Sequence, residues 1–140
     1  MKLNIKKLTP EAEYRLGSKG AAGIDLKAMS MEYLDKNTIR YNLGVAVEIP
    51  DGYFGMLVAR SSVVNRGMML TNGVGIIDSD YRGPLMAVFT IVDRVKSHYL
   101  PGEYVCQLVI VPTAKVEVNE IYQLLDTERG EGGFGSTDIA

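Results

Sequence analysis

Val45-Ala46-Val47-Glu48-Ile49-Pro50-Asp51-Gly52-Tyr53-Phe54-Gly55-Met56-Leu57-Val58 decides the fold class. Two short runs rich in β-branched and aromatic residues flank Pro50-Asp51-Gly52. Proline presets φ, and glycine accepts backbone angles that other residues avoid, so the triplet turns the chain. Each flanking run has strand length and is too short for an ordinary helix. The same grammar extends outward. Leu3-Asn4-Ile5-Lys6 and Gly23-Ile24-Asp25-Leu26-Lys27-Ala28 alternate apolar and polar residues, and Leu85 to Val92 and Tyr104 to Val111 are longer β-rich runs. Gly17-Ser18-Lys19-Gly20, Asn72-Gly73, Arg82-Gly83-Pro84 and Pro101-Gly102-Glu103 punctuate them. Ser61 to Gly67 suits a short helix, and residues 120–126 suit a last strand or turn. Short strands cut by Gly and Pro predict an all-β sandwich or barrel. Such a domain must hide its sheet edges, and packing into a symmetric oligomer does so.

The 140 residues form one domain with enough chain to bury a core. With 46% hydrophobic and 23% charged residues, the composition is globular rather than disordered. A formal charge of -2 provides no basic field for a polynucleotide, so a ligand phosphate must meet a local site. One cysteine, Cys106, allows no disulfide framework and suits a reducing compartment. No apolar run approaches the ~20 residues of a membrane span, and no signal-like segment opens the chain. The expectation is a soluble, unexported, cytoplasmic protein that binds neither nucleic acid nor membrane.

Arg129-Gly130-Glu131-Gly132-Gly133-Phe134-Gly135-Ser136-Thr137-Asp138-Ile139-Ala140 has almost nothing to bury, and its glycines resist ordering. It reads either as a disordered tail or as an arm that orders on a ligand. Phe134 offers a flat apolar face, while Arg129, Ser136, Thr137 and bare glycine N–H groups offer donors to an anion. A ring joined to phosphates, as in a nucleotide, fits that chemistry.

Gly75-Ile76-Ile77-Asp78-Ser79-Asp80-Tyr81-Arg82-Gly83 reads as a hairpin with Asp78 at the end of its first strand. Asp78 is either a general base or a member of an ordinary Asp-rich turn. Tyr81 either packs or presses on a sugar, and exposed hairpin backbone can read the edge of a base. Ala59-Arg60-Ser61-Ser62 follows a strand and offers a guanidinium fork and hydroxyls to phosphate, or a Ser cap beside a surface Arg. Asp25 is an outward-facing strand residue, or a partner for a metal's water shell or a neighbouring Arg. Gln107, amid apolar residues, needs hydrogen-bond partners if buried and is a candidate phosphate donor or supporting group. His98, with no second His or Cys nearby, reads as solvated, and Cys106 as a small core residue.

In this order, Ala22-Gly23-Ile24-Asp25-Leu26-Lys27-Ala28, Arg60-Ser61-Ser62, Gly75 to Gly83, Gly102 to Gln107 and Arg129 to Thr137 resemble the trimeric dUTP pyrophosphatase (dUTPase) family. Its motifs run AGxDLxA, PRSG/S, GxIDxDYRG, GxRxAQ and RGxGGFGSTG. The resemblance covers nearly the whole chain. It implies a jelly-roll-like β-barrel over residues 1–128, a flexible arm over 129–140 that closes the active site, and a homotrimer with sites between subunits. It implies hydrolysis of dUTP to dUMP and pyrophosphate with Mg2+ on the triphosphate, which limits uracil in DNA and supplies dUMP for thymidylate synthesis.

By the same resemblance, Asp78 activates the attacking water and Tyr81 packs on deoxyribose. Asn72, Gly75 and the backbone of Ile76, Ile77 and Met86 line the uracil pocket. Arg60, Ser61, Ser62 and Gln107 hold phosphates, and Asp25 acts on the metal side through water. Phe134 stacks on uracil while Arg129, Gly135, Ser136 and Thr137 close over the phosphates. The chain departs from the pattern at Ala59 (usually Pro), Tyr104 (usually Arg), Cys106 (usually Ala) and Asp138 (usually Gly). The alternatives are a dCTP deaminase of the same fold family and a nucleotide-responsive regulatory binding protein. The intact IDSDYRG turn and the GGFGST arm favour the pyrophosphatase.

Overall fold

Alternation of side chains across a strand lets Thr38–Asn42 and Met86–Ile91 bury alternate residues. A computed structural model describes residues 1–138. Eleven strands run in order: β1 (Asn4–Lys7), β2 (Tyr14–Leu16), β3 (Ile24–Lys27), β4 (Ser30–Asp35), β5 (Thr38–Asn42), β6 (Val45–Glu48), β7 (Tyr53–Ala59), β8 (Met68–Leu70), β9 (Gly75–Ile77), β10 (Met86–Ile91) and β11 (Tyr104–Pro112). Among the described residues a single 3-10 turn spans Ser61–Asn65. The runs read as strands from the sequence correspond to β1, β3, β6, β7, β10 and β11. The reading passed over β2, β4, β5 and β8; β2 and β8 are only three residues long, whereas β5 alternates and buries Ile39 and Tyr41. Residues 120–126 hold no strand and contain one bend.

Two sheets pack face to face. One has the order β4-β5-β10-β8 and the other β2-β3-β11-β7-β9, with β1-β6 as a separate antiparallel pair. The pairings are antiparallel throughout. The all-β expectation holds.

One apolar cluster fills the space between the sheets. Ile39, Tyr41, Ala87 and Phe89 enter from one side, and Leu26, Leu57, Val105, Cys106 and Leu108 from the other. Tyr41 and Phe89 meet edge to face at 5.6 Å, and the Tyr41 hydroxyl donates to the Tyr99 carbonyl at 2.8 Å. Burying a phenol is tolerable because its hydroxyl finds that acceptor. Cys106 is fully buried, as expected, and burial pushes its thiol pKa up, with Asp25 adding to the rise and Arg60 opposing it. It is a packing residue, not a nucleophile.

A register shift between Tyr104 and Cys106 has a functional consequence. Strict alternation would not bury both Val105 and Cys106, yet both face the core. The irregularity absorbs the extra residue. Gln107 consequently falls on the outer face beside Asp25 and Val58, its cross-strand partners.

After β11 the chain leaves the sheets. Residues 113–128 are exposed, including Val116, Val118, Ile121, Tyr122, Leu124 and Leu125. These six apolar side chains lie in one exposed segment.

Candidate functional site

The acid-rich turn does not close a hairpin ladder. β9 pairs with β7, whereas β10 pairs with β5 and β8, so Asp78 to Leu85 carries the chain from one sheet to the other. The expected hairpin is corrected to a splayed crossing. Pro84 has no N–H for a ladder, and the Tyr81 hydroxyl takes the Pro84 carbonyl at 2.9 Å. The ladder between β10 and β8 begins only at Phe89, so the start of β10 has neighbouring backbone on one side only.

The gap is a cleft of about 350 Å³ lined by Asn72, Gly75, Ile76, Ile77 and Met86 with Thr71 and Leu57. All five residues expected at a base pocket meet there. Sequence reading missed Thr71 and Leu57, whose strand-end and core-like contexts carry no distinguishing signal. Next to it lies a second concavity of about 270 Å³, lined by Ile76, Ile77, Asp78, Tyr81 and Met86. Asp78 is exposed directly after β9, and Tyr81 is partly exposed. A Cβ at residue 83 would strike the Tyr81 ring, so Gly83 is what lets that ring fold back over the turn. Here the arrangement offers unpaired backbone for a planar ligand, an aromatic face, and a carboxylate open to solvent.

A different cluster gathers the anion-binding candidates. Asp25 sits between two guanidiniums: Arg60 Nε donates to its Oδ1 at 3.1 Å, and Arg15 Nε to its Oδ2 at 3.2 Å. Arg60 also donates from Nη1 to the Tyr104 carbonyl at 3.1 Å. Asp25 is an outward-facing strand residue that pairs with neighbouring Arg side chains, so those two readings hold together. Gln107 is half-buried and donates from Nε2 to the Ala59 carbonyl at 3.1 Å, which leaves its Oε1 free of protein donors among the described residues. A Cβ at residue 23 would lie 2.6 Å from that oxygen, so a larger residue there would displace the Gln107 amide.

Arg60, not a serine, occupies the cap position of the 3-10 turn, with extended φ and ψ and no side-chain cap bond. Ser61 is exposed, and the Ser62 hydroxyl lies 2.6 Å from the Tyr99 hydroxyl. His98 is half-buried with Nε2 3.0 Å from the Asp93 carbonyl, so the solvated reading is corrected: a loop carbonyl accompanies the ring.

Asp78 and Arg60 do not meet. Ile77 pairs with Gly55 near the start of β7, so Asp78 lies opposite Phe54, while Arg60 follows the far end of that strand. Six strand residues separate the two levels, about 20 Å at a rise of ~3.3 Å each. Arg60 is moreover turned toward Asp25.

The arm forms a third group. Arg129 Nε donates to the Gly132 carbonyl at 2.8 Å, and Ser136 N to the Gly133 carbonyl at 2.8 Å, so the glycines fold into successive local turns. Arg129, Ser136 and Thr137 border one open concavity, Gly135 takes a left-handed φ of 80°, and Phe134 is fully exposed. Ile139 and Ala140, the last two positions of the expected arm, lie outside the described residues.

Among the described residues no three His, Cys, Asp or Glu converge as a metal cage. Asp25 is the acid at the anion-binding cluster. Each of its oxygens accepts one guanidinium bond and retains a lone pair. That donor set suits a water of a hydrated Mg2+, an ion that keeps its own waters and favours phosphate ligands. Among the described residues no helix is long and apolar enough to cross a membrane.

The family model described as dUTPase matches residues 12–138. The deoxyuridine 5'-triphosphate nucleotidohydrolase of Escherichia phage T5 is 37% identical over 145 residues, covering 96% of this chain and 97% of its own. A Staphylococcus bacteriophage 80alpha dUTPase mutant with dUpNHpp superposes with a TM-score of 0.84 at 26% identity, over 97% of this chain and 98% of that one. A dUTPase mutant from phage phi11 of S. aureus, whose structure is described for its coordination of a structural Mg(II) ion, shares the fold at a TM-score of 0.75 and 22% identity, over 90% of this chain and 100% of that one.

Proposed function

The chain belongs to the dUTPase family, and on that premise we propose that it hydrolyses dUTP to dUMP and pyrophosphate. The observation that carries the reading is the splayed crossing between β9 and β10. It holds a base-sized cleft at Asn72 and Met86 immediately beside Asp78 and Tyr81. Uracil enters the cleft edge-on and pairs with strand backbone. A 5-methyl group is too large for a pocket closed on that edge, and a 4-amino group presents the wrong donor to it. The Tyr81 ring packs on deoxyribose and excludes a 2′-hydroxyl.

Asp78 takes a proton from water as the water oxygen attacks the α-phosphorus. The bond from that phosphorus to the bridging oxygen breaks, and the electron pair leaves on pyrophosphate. Arg60, Ser61, Ser62 and Gln107 hold the phosphates. Most of the catalysis is positioning and charge neutralisation, as phosphoryl transfer requires. Asp25 would hold a water of a hydrated Mg2+, which when bound would supply charge neutralisation to the phosphates.

About 20 Å of strand separates the backbone levels of Asp78 and Arg60, and Arg60 is turned toward Asp25. One chain therefore does not assemble this site. We infer a homotrimer, with the residues 1–128 closing as a jelly-roll-like barrel. In each site one subunit supplies the base pocket with Asp78, a second the Arg60 cluster, and a third the arm over residues 129–140. Three separate groups of residues per chain match three contributions per site, and a closed ring satisfies all three at once. Exposed apolar residues from Val116 to Leu125 supply surface for a neighbour to cover. In the arm, Phe134 stacks on uracil while Arg129, Gly135, Ser136 and Thr137 close over phosphate. The single buried thiol and the nucleotide substrate fit a cytoplasmic site of action.

A nucleotide panel with pyrophosphate detection tests the reading. dUTP is expected to turn over well, with dTTP, dCTP and UTP far poorer. Comparable turnover of UTP would refute the role of Tyr81. Ammonia release from dCTP would instead identify a deaminase.

A further inference from the structure

Arg15 lies outside every motif that identified the site, yet it occupies the anion-binding cluster. β2 places it directly across from Asp25, which is itself across from Gln107 on β11. Residues aligned across neighbouring strands share a face, so Arg15, Asp25 and Gln107 form one row on the outside of the sheet. Three observations set Arg15 apart from an ordinary surface arginine. Its Nε is bonded to Asp25 Oδ2 at 3.2 Å. Its guanidinium carbon stands 4.0 Å from the centroid of the Tyr104 ring, a stacking geometry that restrains a side chain otherwise free to swing. Its two Nη groups have no hydrogen-bond partner among the described residues, and the side chain is 48% exposed.

Arg60 differs on the last point. It already bonds Asp25 through Nε and the Tyr104 carbonyl through Nη1. Of the two guanidiniums on Asp25, Arg15 has more donors left for a ligand. Two cations against one carboxylate leave this end of the row with a net positive charge. The neighbouring Lys27 does not add to it, because Glu13 pairs with it. Tyr104 is the position at which the resembling pattern carries Arg. Here the chain has an aromatic platform there and brings a guanidinium to it from another strand.

We propose that Arg15 binds the pyrophosphate portion of the substrate directly through its Nη groups, with Asp25 and the Tyr104 ring holding it in place. The proposal rests on the reading of the chain as a dUTP pyrophosphohydrolase. It adds a phosphate-binding residue from β2 and assigns Tyr104 a supporting role.

The test uses the full-length protein and its Arg15→Met and Arg15→Lys variants, with calorimetric binding of pyrophosphate and dUMP and steady-state kinetics on dUTP. Methionine keeps the aliphatic reach and removes the charge. Arg15→Met is expected to weaken pyrophosphate binding about tenfold, the worth of one charge-assisted hydrogen bond, and to raise KM for dUTP alongside it. dUMP binding should stay unchanged, and Arg15→Lys should recover part of the pyrophosphate affinity.

A role confined to holding Asp25 is separated by repeating Arg15→Met in an Asp25→Asn background. Direct contact predicts a further loss there; no further loss overturns the proposal. Unchanged pyrophosphate affinity in Arg15→Met overturns it as well. If Arg15→Met does not fold, Tyr104→Leu, which removes the platform and keeps the charge, must still weaken pyrophosphate binding and leave dUMP unaffected, and equal effects on both ligands count against the proposal. Failure of the underlying reading looks different: the unaltered protein itself would neither hydrolyse dUTP nor bind pyrophosphate, and both claims would fall together.

Discussion

The Ser62 hydroxyl lies 2.6 Å from the hydroxyl of Tyr99, a residue only 1% exposed. The 3-10 turn that presents Ser62 is thereby tied to the core aromatic set, since the Tyr99 ring also meets Phe89 at 5.9 Å. The phenol restricts the rotor of Ser62, a serine to which the proposal assigns phosphate binding. Tyr99→Phe keeps the ring and deletes this bond. We expect a stability loss of about 1 kcal/mol by chemical denaturation. kcat/KM for dUTP should fall about threefold to tenfold, in line with lost positioning, while dUMP affinity holds. An unaltered kcat/KM would leave the contact a purely structural one.

Arg66 clamps Glu103 from the other side of the same loop. Burial raises the Glu103 pKa, but bonds from Arg66 and from the Leu100 N–H, with the Arg66 charge, outweigh it and hold the carboxyl below its ordinary 4.5. A depressed carboxyl pKa stabilises the folded state above the unfolded value and ceases to do so as pH falls through the folded one. Glu103→Gln should therefore destabilise by about 1 kcal/mol at neutral pH, a modest figure because the pair is partly solvated. The gap from the parent should narrow as pH falls below 4.5. Urea titrations at several pH values measure it, and a pH-independent gap would show that the charge is not responsible.

Phe134 is fully exposed in the isolated chain. Phe134→Ala should leave the melting temperature without ligand almost unchanged. Binding of dUTP should weaken by roughly 1–3 kcal/mol, the worth of stacking on one base. A large drop in the melting temperature would show instead that the ring packs against protein in the assembly.

Asp78→Asn keeps the shape of the side chain and removes the proton acceptor. Turnover should fall on the order of 10²–10⁴-fold with nucleotide binding retained. Co-refolding this variant with a chain ending at Glu128 should restore activity well above either parent refolded alone. Some mixed trimers then combine an intact Asp78 from one chain with an intact arm from another. Verified mixed trimers with no gain would mean that the arm closes its own chain's site.

Local chemistry was legible from the residues alone. Pro50-Asp51-Gly52 turned the chain, period-two runs marked β1 and β3, and β-rich runs bounded by turn residues marked β6, β7, β10 and β11. The resemblance carried by the motif order pointed to Asp78, Asn72, Met86, Arg60 and Gln107, while strand period and turn propensity, which act over a few residues, marked only the strands and turns around them. Which strand lies beside which is a long-range matter that no local pattern encodes. Only the tertiary structure replaced the expected hairpin with a crossing between sheets, because β9 found its partner in β7. Only the register of β2 on β3 brought Arg15 to Asp25, and only the length of β7 set Asp78 apart from Arg60. The exposure of Val116, Val118, Ile121, Tyr122, Leu124 and Leu125 also depends on tertiary packing. These residues look like core by composition, and whether such residues are buried depends on the partners that the rest of the fold leaves open to them.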